Sequence, residues 1–217
     1  MISEIDSALD DYIAAHIDAE PAHLTQLNRY TQIHHLYGNM CSGHVQGRLL
    51  AMLTSMIRPR RVVELGAFTG YSTLCIAEGM AACGGVIDTI EINDESADEL
   101  TERFAAADTP GVEIRLHTGD AEEVIPQLGG PWDMAFIDAN KRRYTAYYEL
   151  LMERMPSGAF ILADNTLWAD KILDPEANRD AQTRGIIEFN DLVAADPRVS
   201  KVILPVRDGL TLLRKLG

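Results

Sequence analysis

Short apolar, β-branched runs alternate with helical segments from residue 61 onward, and this alternation limits the possible folds more than any other feature of the chain. Alternating strands and helices favour a mostly parallel sheet with helices packed on both faces. The predicted strands are RVVEL, VIDTIEI, VEIRLHT, WDMAFID and AFILAD, and the helices between them lie near 72–82, 94–107, 120–128 and 141–154.

The C-terminal region predicts a different kind of strand connection. A helix near 183–195 is followed by the runs KVILPV and LTLLRK, with the tight turn RDG between them. So short a turn favours a hairpin, which requires antiparallel strands. The sequence therefore predicts an α/β fold with a mostly parallel seven-stranded sheet that includes one antiparallel strand.

The whole chain is predicted to form one domain, because 217 residues with 47% hydrophobic content suffice for a single large core. Residues 1–57 show helical periodicity, with breaks at Pro21 and in the stretch 38–47. We expect these helices to contribute to a pocket on a core formed by residues 58–217. The long connection at 166–182 is typical of a lid or binding loop.

Composition restricts the environment and the partners. A net charge of −14 disfavours general binding to nucleic acid, since polyanions are repelled unless basic residues cluster. The three cysteines lack metal-binding or redox spacing, which fits a reducing compartment. The acidic start lacks the features of a signal peptide, and no apolar run has the length of a membrane span. We expect a soluble, cytoplasmic protein.

The stretch VVELGAFTGYS, residues 62–72, runs from a strand through a glycine turn into a helix. Ligands of open α/β sheets bind beyond such strand ends. The spacing is G-x-x-x-G and no G-K-[ST] follows, so dinucleotide and Walker-type sites are disfavoured. Glu64 would attract an ammonium group and repel a pyrophosphate, while Glu91 lies where acids commonly bind ribose hydroxyls. These features favour a ribose-bearing ligand without phosphates, such as S-adenosylmethionine.

Oxygen-bearing side chains follow the next two predicted strands. Asp138 ends the fourth strand, and Asp164 with Asn165 ends the fifth. Neighbouring parallel strands lie about 4.8 Å apart, so these side chains can converge. Two carboxylates and an amide favour Mg²⁺, Mn²⁺ or Ca²⁺ over Zn²⁺. The alternative is that these residues are helix caps and solvated loop residues.

Several short sequence motifs, occurring in the same order along the chain, resemble those of a known family. From about residue 35 to its end the chain resembles the cation-dependent class I S-adenosylmethionine O-methyltransferases, which include catechol and caffeoyl-CoA O-methyltransferases, and its bacterial members in particular. The matching words are NMCSGHVQG, VVELGAFTGYSTL, DTIEIN, GDAEEVIPQL, FIDANKRRY, LADNTLW and PVRDGLTLLRK. The resemblance implies a Rossmann-like class I methyltransferase fold, a homodimer, and methylation of a hydroxyl on a catechol-like or caffeoyl-type small molecule.

The resemblance also implies a role for individual residues. One group would surround S-adenosylmethionine: Met40 and Ser42 along the pocket, Glu64 on the ammonium, Gly66 and Ala67 close to the methionine, Ser72 on its carboxylate, Glu91 on the ribose, Asp120 and Ala121 at the adenine, and Asp138 at the border with the metal. Asp138, Asp164 and Asn165 would bind a divalent cation, Mg²⁺ or else Mn²⁺ or Ca²⁺. Lys141 would be the general base, with Asp138 beside it in the catalytic site. Asn140 departs from the acid that plant members tend to have at this position.

Two other functions remain open at this point. The basic run KRR, residues 141–143, would suit a tRNA whose wobble 5-hydroxyuridine is the methyl acceptor. A basic rim around the pocket would favour RNA, whereas an apolar rim from Trp168 and Met40 would favour a small aromatic acceptor. A non-catalytic S-adenosylmethionine-binding protein is the third alternative. The helical spacing of Tyr144, Tyr147 and Tyr148 predicts that these three residues pack in the core.

Overall fold

A seven-stranded sheet forms the centre of the computed structural model, which describes residues 4–174, 176 and 180–217. The strand order is β3-β2-β1-β4-β5-β7-β6, and β7 runs opposite to the common direction of the other six strands. The strands are β1 Arg61–Leu65, β2 Gly85–Glu91, β3 Val112–Thr118, β4 Met134–Ile137, β5 Phe160–Asp164, β6 Val199–Leu204 and β7 Leu210–Lys215. The mostly parallel sheet and its closing hairpin confirm the predicted fold class.

Helices cover the sheet on both faces. The helices are α1 Glu4–Ala15, α2 Ala22–His34, α3 Gly43–Ile57, α4 Tyr71–Met80, α5 Ala97–Ala106, α6 Ala121–Val124, α7 Tyr144–Arg154 and α8 Ala181–Ala195. Within the described part of the chain, no helix combines the length and the apolar character needed to cross a bilayer.

Two hydrophobic cores lie on opposite faces of the sheet. Alternate strand residues point to opposite faces, so Val62 packs with helices α3, α4 and α5, whereas Val63 packs with α7 and α8. The same alternation separates Phe136 from Ile137 on β4. This two-sided burial explains why the strand sequences are continuous apolar runs instead of alternating ones.

The order of the strands places the carboxyl ends of β1, β4 and β5 next to one another. The winding of the sheet reverses between β1 and β4, which is where open α/β sheets form their ligand crevice. Gly66 follows β1 and Asp138 follows β4, while Asp164 is the last residue of β5. The topology therefore brings three of the segments singled out in the sequence to one edge.

The predicted break at 38–47 is shorter in the structure. A 3₁₀ turn spans Gly38–Met40, and α3 already begins at Gly43. Gly47 thus lies inside a helix, where it is buried beside Tyr71 of α4. The sequence pattern suggests a helix breaker at this glycine, but in the structure it permits the close approach of two helices. Part of the 166–182 connection forms 3₁₀ turns within Trp168–Leu173, interrupted by a kink where Ala169 and Asp170 have positive φ.

Close packing of α3 against α4 gives a first prediction, at Gly79 of α4. A Cβ at this position would lie 2.5 Å from the carbonyl oxygen of Ala51 and 2.6 Å from Cβ of Thr54. Gly79→Ala should therefore lower the free energy of unfolding by about 1–3 kcal/mol, because overpacking outweighs the gain in helix propensity. Urea unfolding measures the effect. Gly129→Ala is the matched control, since a Cβ there meets no atom within 4 Å; equal stability of the two variants would contradict the packing argument.

Candidate active site

A cavity of about 780 Å³ opens at the carboxyl edge of the sheet. Its walls come from the turns after β1, β4 and β5, from the N-terminal segment and from the β6–β7 loop. Eight of the site residues predicted from sequence line it: Met40, Gly66, Glu91, Ala121, Asp138, Lys141, Asp164 and Asn165. The remaining five lie outside its lining: Ser42, Glu64, Ala67, Ser72 and Asp120.

Lys141 is buried beside the cavity, in the 3₁₀ turn that follows β4. Its Nζ donates to Oδ1 of Asp138 at 2.6 Å and to the hydroxyl of Tyr144 at 2.8 Å. The rings of Tyr144 and Trp168 lie 5.0 and 5.9 Å from the same nitrogen. A carboxylate, a hydroxyl and two aromatic rings therefore hold this amine in one position.

Asp164 is the more deeply buried of the two aspartates, with 2% of its surface exposed. Its Oδ1 accepts from the backbone N–H of Asn165 at 2.7 Å, and its Oδ2 accepts from Nε2 of Gln46 at 2.5 Å. Burial, together with the negative charge of Asp138, raises the pKa of Asp164 to about 6. Gln46 and Lys141 oppose this rise in the pKa but do not cancel it.

The donor set at this edge fits a hard divalent cation. Asp138 and Asp164 repel each other in a partly desolvated cavity, and a cation would relieve that repulsion. Asn165, the residue after Asp164, has a left-handed backbone conformation with φ of 59° and also lines the cavity. No three His, Cys, Asp or Glu residues form a metal-binding group in residues 4–174, 176 and 180–217. Two carboxylates with one amide oxygen are instead the ligands that Mg²⁺ and Ca²⁺ accept.

Gly66 brings the backbone of the first turn against that of the fourth. Its φ is 96°, and a Cβ at this position would lie 2.1 Å from the carbonyl oxygen of Asp138. Only glycine fits both the backbone conformation and the contact. The cavity floor at this point is therefore backbone, open to a ligand that approaches closely.

Glu64 is fully buried at the end region of β1. Its Oε1 accepts from Ser72 at 2.6 Å, and its Oε2 accepts from Thr89 at 2.6 Å and from Thr73. Burial raises the pKa of this carboxyl group even though the three hydroxyls lower it. Ser72, predicted to contact the cofactor directly, thus donates its hydroxyl to Glu64.

Glu91 ends β2 and orders two loops. Its Oε2 accepts from the backbone N–H of Phe68 at 2.7 Å, and its Oε1 accepts from that of Asn93 at 2.9 Å. Asp120 caps α6 by accepting from the N–H of Glu122 at 2.9 Å. The capping alternative was raised for Asp138 and Asp164, and neither is the N-cap of a helix in the part of the chain that the structure describes.

Sequence reasoning missed three polar residues of the site: Gln46, Tyr144 and Arg207. Tyr144 is buried as predicted, but its hydroxyl also accepts from Lys141 and donates to the carbonyl oxygen of Asp164 at 3.0 Å. Its spacing of three residues from Lys141 on a helical turn was the available signal. Gln46 and Arg207 lie within the quoted stretches NMCSGHVQG and PVRDGLTLLRK, but both are far from Asp164 in sequence, so no local spacing signals their contacts.

Comparison with known proteins gives one family. The model of a family described as O-methyltransferase matches residues 14–216. The chain is 30% identical to the O-methyltransferase ankF of Aspergillus thermomutatus over 97% of this chain and 94% of that protein. It is 32% identical to caffeoyl-CoA O-methyltransferase 1 of Eucalyptus globulus over 91% and 83% of the two chains. The structure of the O-methyltransferase TomG from Streptomyces achromogenes in complex with SAM superposes with a TM-score of 0.87 at 26% identity, covering 97% and 96%.

The electrostatic coupling of the two aspartates can be measured directly. In metal-free protein, Asp138→Asn should lower the pKa of Asp164 from about 6 towards the ordinary range, because a like charge no longer favours its protonated form. Carboxyl-carbon NMR across a pH titration in EDTA follows this group. Asp191→Asn, an exposed change on α8, is the control. An unchanged titration midpoint for Asp164 in Asp138→Asn would show that the two carboxylates do not interact.

Proposed function

We propose a specific reaction on the premise that the chain belongs to the O-methyltransferase family. The protein transfers a methyl group from S-adenosylmethionine to a hydroxyl of a catechol-like or caffeoyl-type small molecule. A divalent cation would assist this reaction. The observation that carries the proposal is the meeting of Asp138, Asp164, Asn165 and Lys141 at one cavity. Hard oxygen ligands beside a buried amine suit the activation of a hydroxyl group.

The methyl donor is S-adenosylmethionine, as expected for the family and as found bound in the TomG complex. Glu91 would accept hydrogen bonds from the ribose hydroxyls, because its carboxylate lines the cavity. Glu64 would attract the methionine ammonium group, as the resemblance implies; in this structure its carboxyl group lies outside the cavity lining and accepts from Ser72, Thr73 and Thr89. The other residues proposed to surround the cofactor are Met40, Ser42, Gly66, Ala67, Ser72, Asp120, Ala121 and Asp138.

Asp138, Asp164 and Asn165 would hold the cation, with Mg²⁺ preferred and Mn²⁺ or Ca²⁺ as alternatives. When bound there, the cation would lower the pKa of an acceptor hydroxyl and fix the orientation of vicinal oxygens. The carboxylates of the protein would supply the negative charge at this position. The burial of Asp164 at the end of β5 strengthens its electrostatic interactions.

Lys141 would take the proton of the acceptor hydroxyl at Nζ in its neutral form. Asp138 and Tyr144 already fix the position of this nitrogen, and it faces the cavity. A positioned base contributes roughly 10²–10⁴-fold to a rate. Trp168 would exclude water from the reacting groups and stack against an aromatic acceptor; its indole Nε1–H is anchored by the hydroxyl of Thr183 at 3.1 Å.

The walls of the cavity support a small aromatic acceptor over tRNA. Tyr37, Met40 and Ile92 line it and are 57–69% exposed, which gives an apolar rim. The basic run is partly neutralised, because Arg143 forms a two-pronged ion pair with Glu122. The net charge of −14 also opposes a polyanion. Methylation of a wobble 5-hydroxyuridine is therefore the second candidate, and family membership favours turnover over a non-catalytic binder. The homodimer stays a prediction.

Removal of the cation tests the proposal. Methyl transfer from S-adenosylmethionine to caffeic acid should require Mg²⁺ and should cease in excess EDTA, because the acceptor hydroxyl then loses its electrophilic partner. Asp138→Ala and Asp164→Ala should each abolish activity, while circular dichroism and S-adenosylmethionine calorimetry show a folded protein. Asp191→Ala is the matched control and should retain full activity. Turnover that survives EDTA would refute the metal role, and turnover on hypomodified tRNA alone would select the second candidate.

Substitution of the proposed base gives a separate prediction. Lys141→Met should lower kcat by about 10²–10⁴-fold at saturating Mg²⁺. The affinity for S-adenosylmethionine should change little, because Lys141 is not among the residues proposed to surround the cofactor and its Nζ donates to Asp138 and Tyr144. Lys201→Met on β6 is the control. A wild-type rate for Lys141→Met at every pH would dismiss the base.

A further inference from the structure

Gln46 is a buried amide on α3 with 1% of its surface exposed, and it reaches across 118 residues of sequence to the strand-end aspartate. Its Nε2 donates to Oδ2 of Asp164 at 2.5 Å. A polar side chain this deeply buried is stable only with its hydrogen bonds made. The contact is therefore a fixed part of the site.

Arg207, in the β6–β7 loop, lies on the oxygen side of this amide. Its Nη1 lies 3.4 Å from Oε1 of Gln46 and also donates to the carbonyl oxygens of Cys41, at 2.9 Å, and Ser42. A guanidinium only donates and an ionised carboxylate only accepts. Glutamine is the side chain of this shape that offers an acceptor to Arg207 and a donor to Asp164 together.

Within the part of the chain that the structure describes, each carboxylate oxygen of Asp164 accepts one hydrogen bond. Oδ1 accepts from the N–H of Asn165, and Oδ2 accepts from Gln46. Each carboxylate oxygen has about two lone-pair sites, so one site per oxygen is left for a ligand. The carboxylate is thus fixed in orientation without being saturated.

We propose that Gln46 is a positioning residue that holds Asp164 in its metal-binding orientation, with Arg207 fixing the direction of the amide. This inference rests on the proposed function, because it presumes a cation at Asp138, Asp164 and Asn165. Hydrogen-bond partners of metal ligands commonly contribute 10–100-fold to metal affinity. Through Arg207 and α3, the N-terminal segment and the β6–β7 loop both support this one ligand.

Binding of Mn²⁺ to the EDTA-stripped full-length protein tests the inference without turnover. The electron paramagnetic resonance signal of free Mn²⁺ reports the Kd. Gln46→Met keeps the length of the side chain and removes both hydrogen bonds, so it should weaken Mn²⁺ binding by about 10–100-fold. Gln127→Met is the matched control, because Gln127 is exposed and, among the residues that the structure describes, its side chain donates one hydrogen bond, to the carbonyl oxygen of Glu123. This control should bind Mn²⁺ as the wild type does.

Two further readouts separate positioning from structural damage. Gln46→Met should bind S-adenosylmethionine with nearly unchanged affinity in the absence of metal, and its kcat should approach the wild-type value when Mg²⁺ is raised to saturation. A structural defect would instead lower kcat at every Mg²⁺ concentration, which would overturn the inference. Gln46→Asn replaces Gln46→Met if the latter does not fold; its amide ends one methylene short, so the same weakening is expected.

Failure of this inference differs from failure of the proposed function. If the wild type binds Mn²⁺, Asp164→Ala does not, and Gln46→Met binds as tightly as the wild type, the positioning role is wrong and the metal site stands. If the wild type itself binds no Mn²⁺, the proposed metal dependence is wrong and the inference falls with it.

Discussion

Mutual repulsion between the carboxylates of Asp138 and Asp164 is the interaction on which the site depends. Asp138 directly follows β4 and Asp164 ends the neighbouring parallel strand β5; burial together with this repulsion raises the pKa of Asp164. Lys141 partly compensates the charge through Asp138, and Gln46 stabilises the charge of Asp164 by a hydrogen bond. The fold thus holds two mutually repelling carboxylates at one edge of the sheet, and a bound cation would relieve that repulsion.

The remaining architecture serves to keep that edge rigid. The reversal of winding between β1 and β4 opens the crevice, and Gly66 allows the two backbones to meet there. Tyr144 links Lys141 to the backbone of Asp164 and so connects the turn after β4 to the end of β5. Functional groups carried by strand ends and packed turns are held more accurately than groups on free loops.

The succession of strands and helices along the chain could be predicted from the sequence, because each strand is a short apolar run and each helix has helical periodicity. It also marked Asp138, Asp164 and Asn165, since polar residues directly after buried strands must lie at one edge of a parallel sheet. It could not show the contact of Gln46 with Asp164 or of Arg207 with Gln46, which join positions 118 and 161 residues apart. The prediction of a helix break at Gly47 was wrong for the same reason: the glycine is needed inside α3 because helix α4 packs closely against it, and that contact is not visible in the local sequence.

The most direct test of the central claim is the location of a bound cation. Crystals grown with S-adenosylmethionine and Mn²⁺, measured at the manganese absorption edge, would reveal the ion by its anomalous scattering. We expect a single strong peak with the oxygens of Asp138, Asp164 and Asn165 at coordination distance and the methyl donor in the same cavity. Clear density for S-adenosylmethionine without an anomalous peak at these three residues, or with the peak elsewhere, would contradict the account.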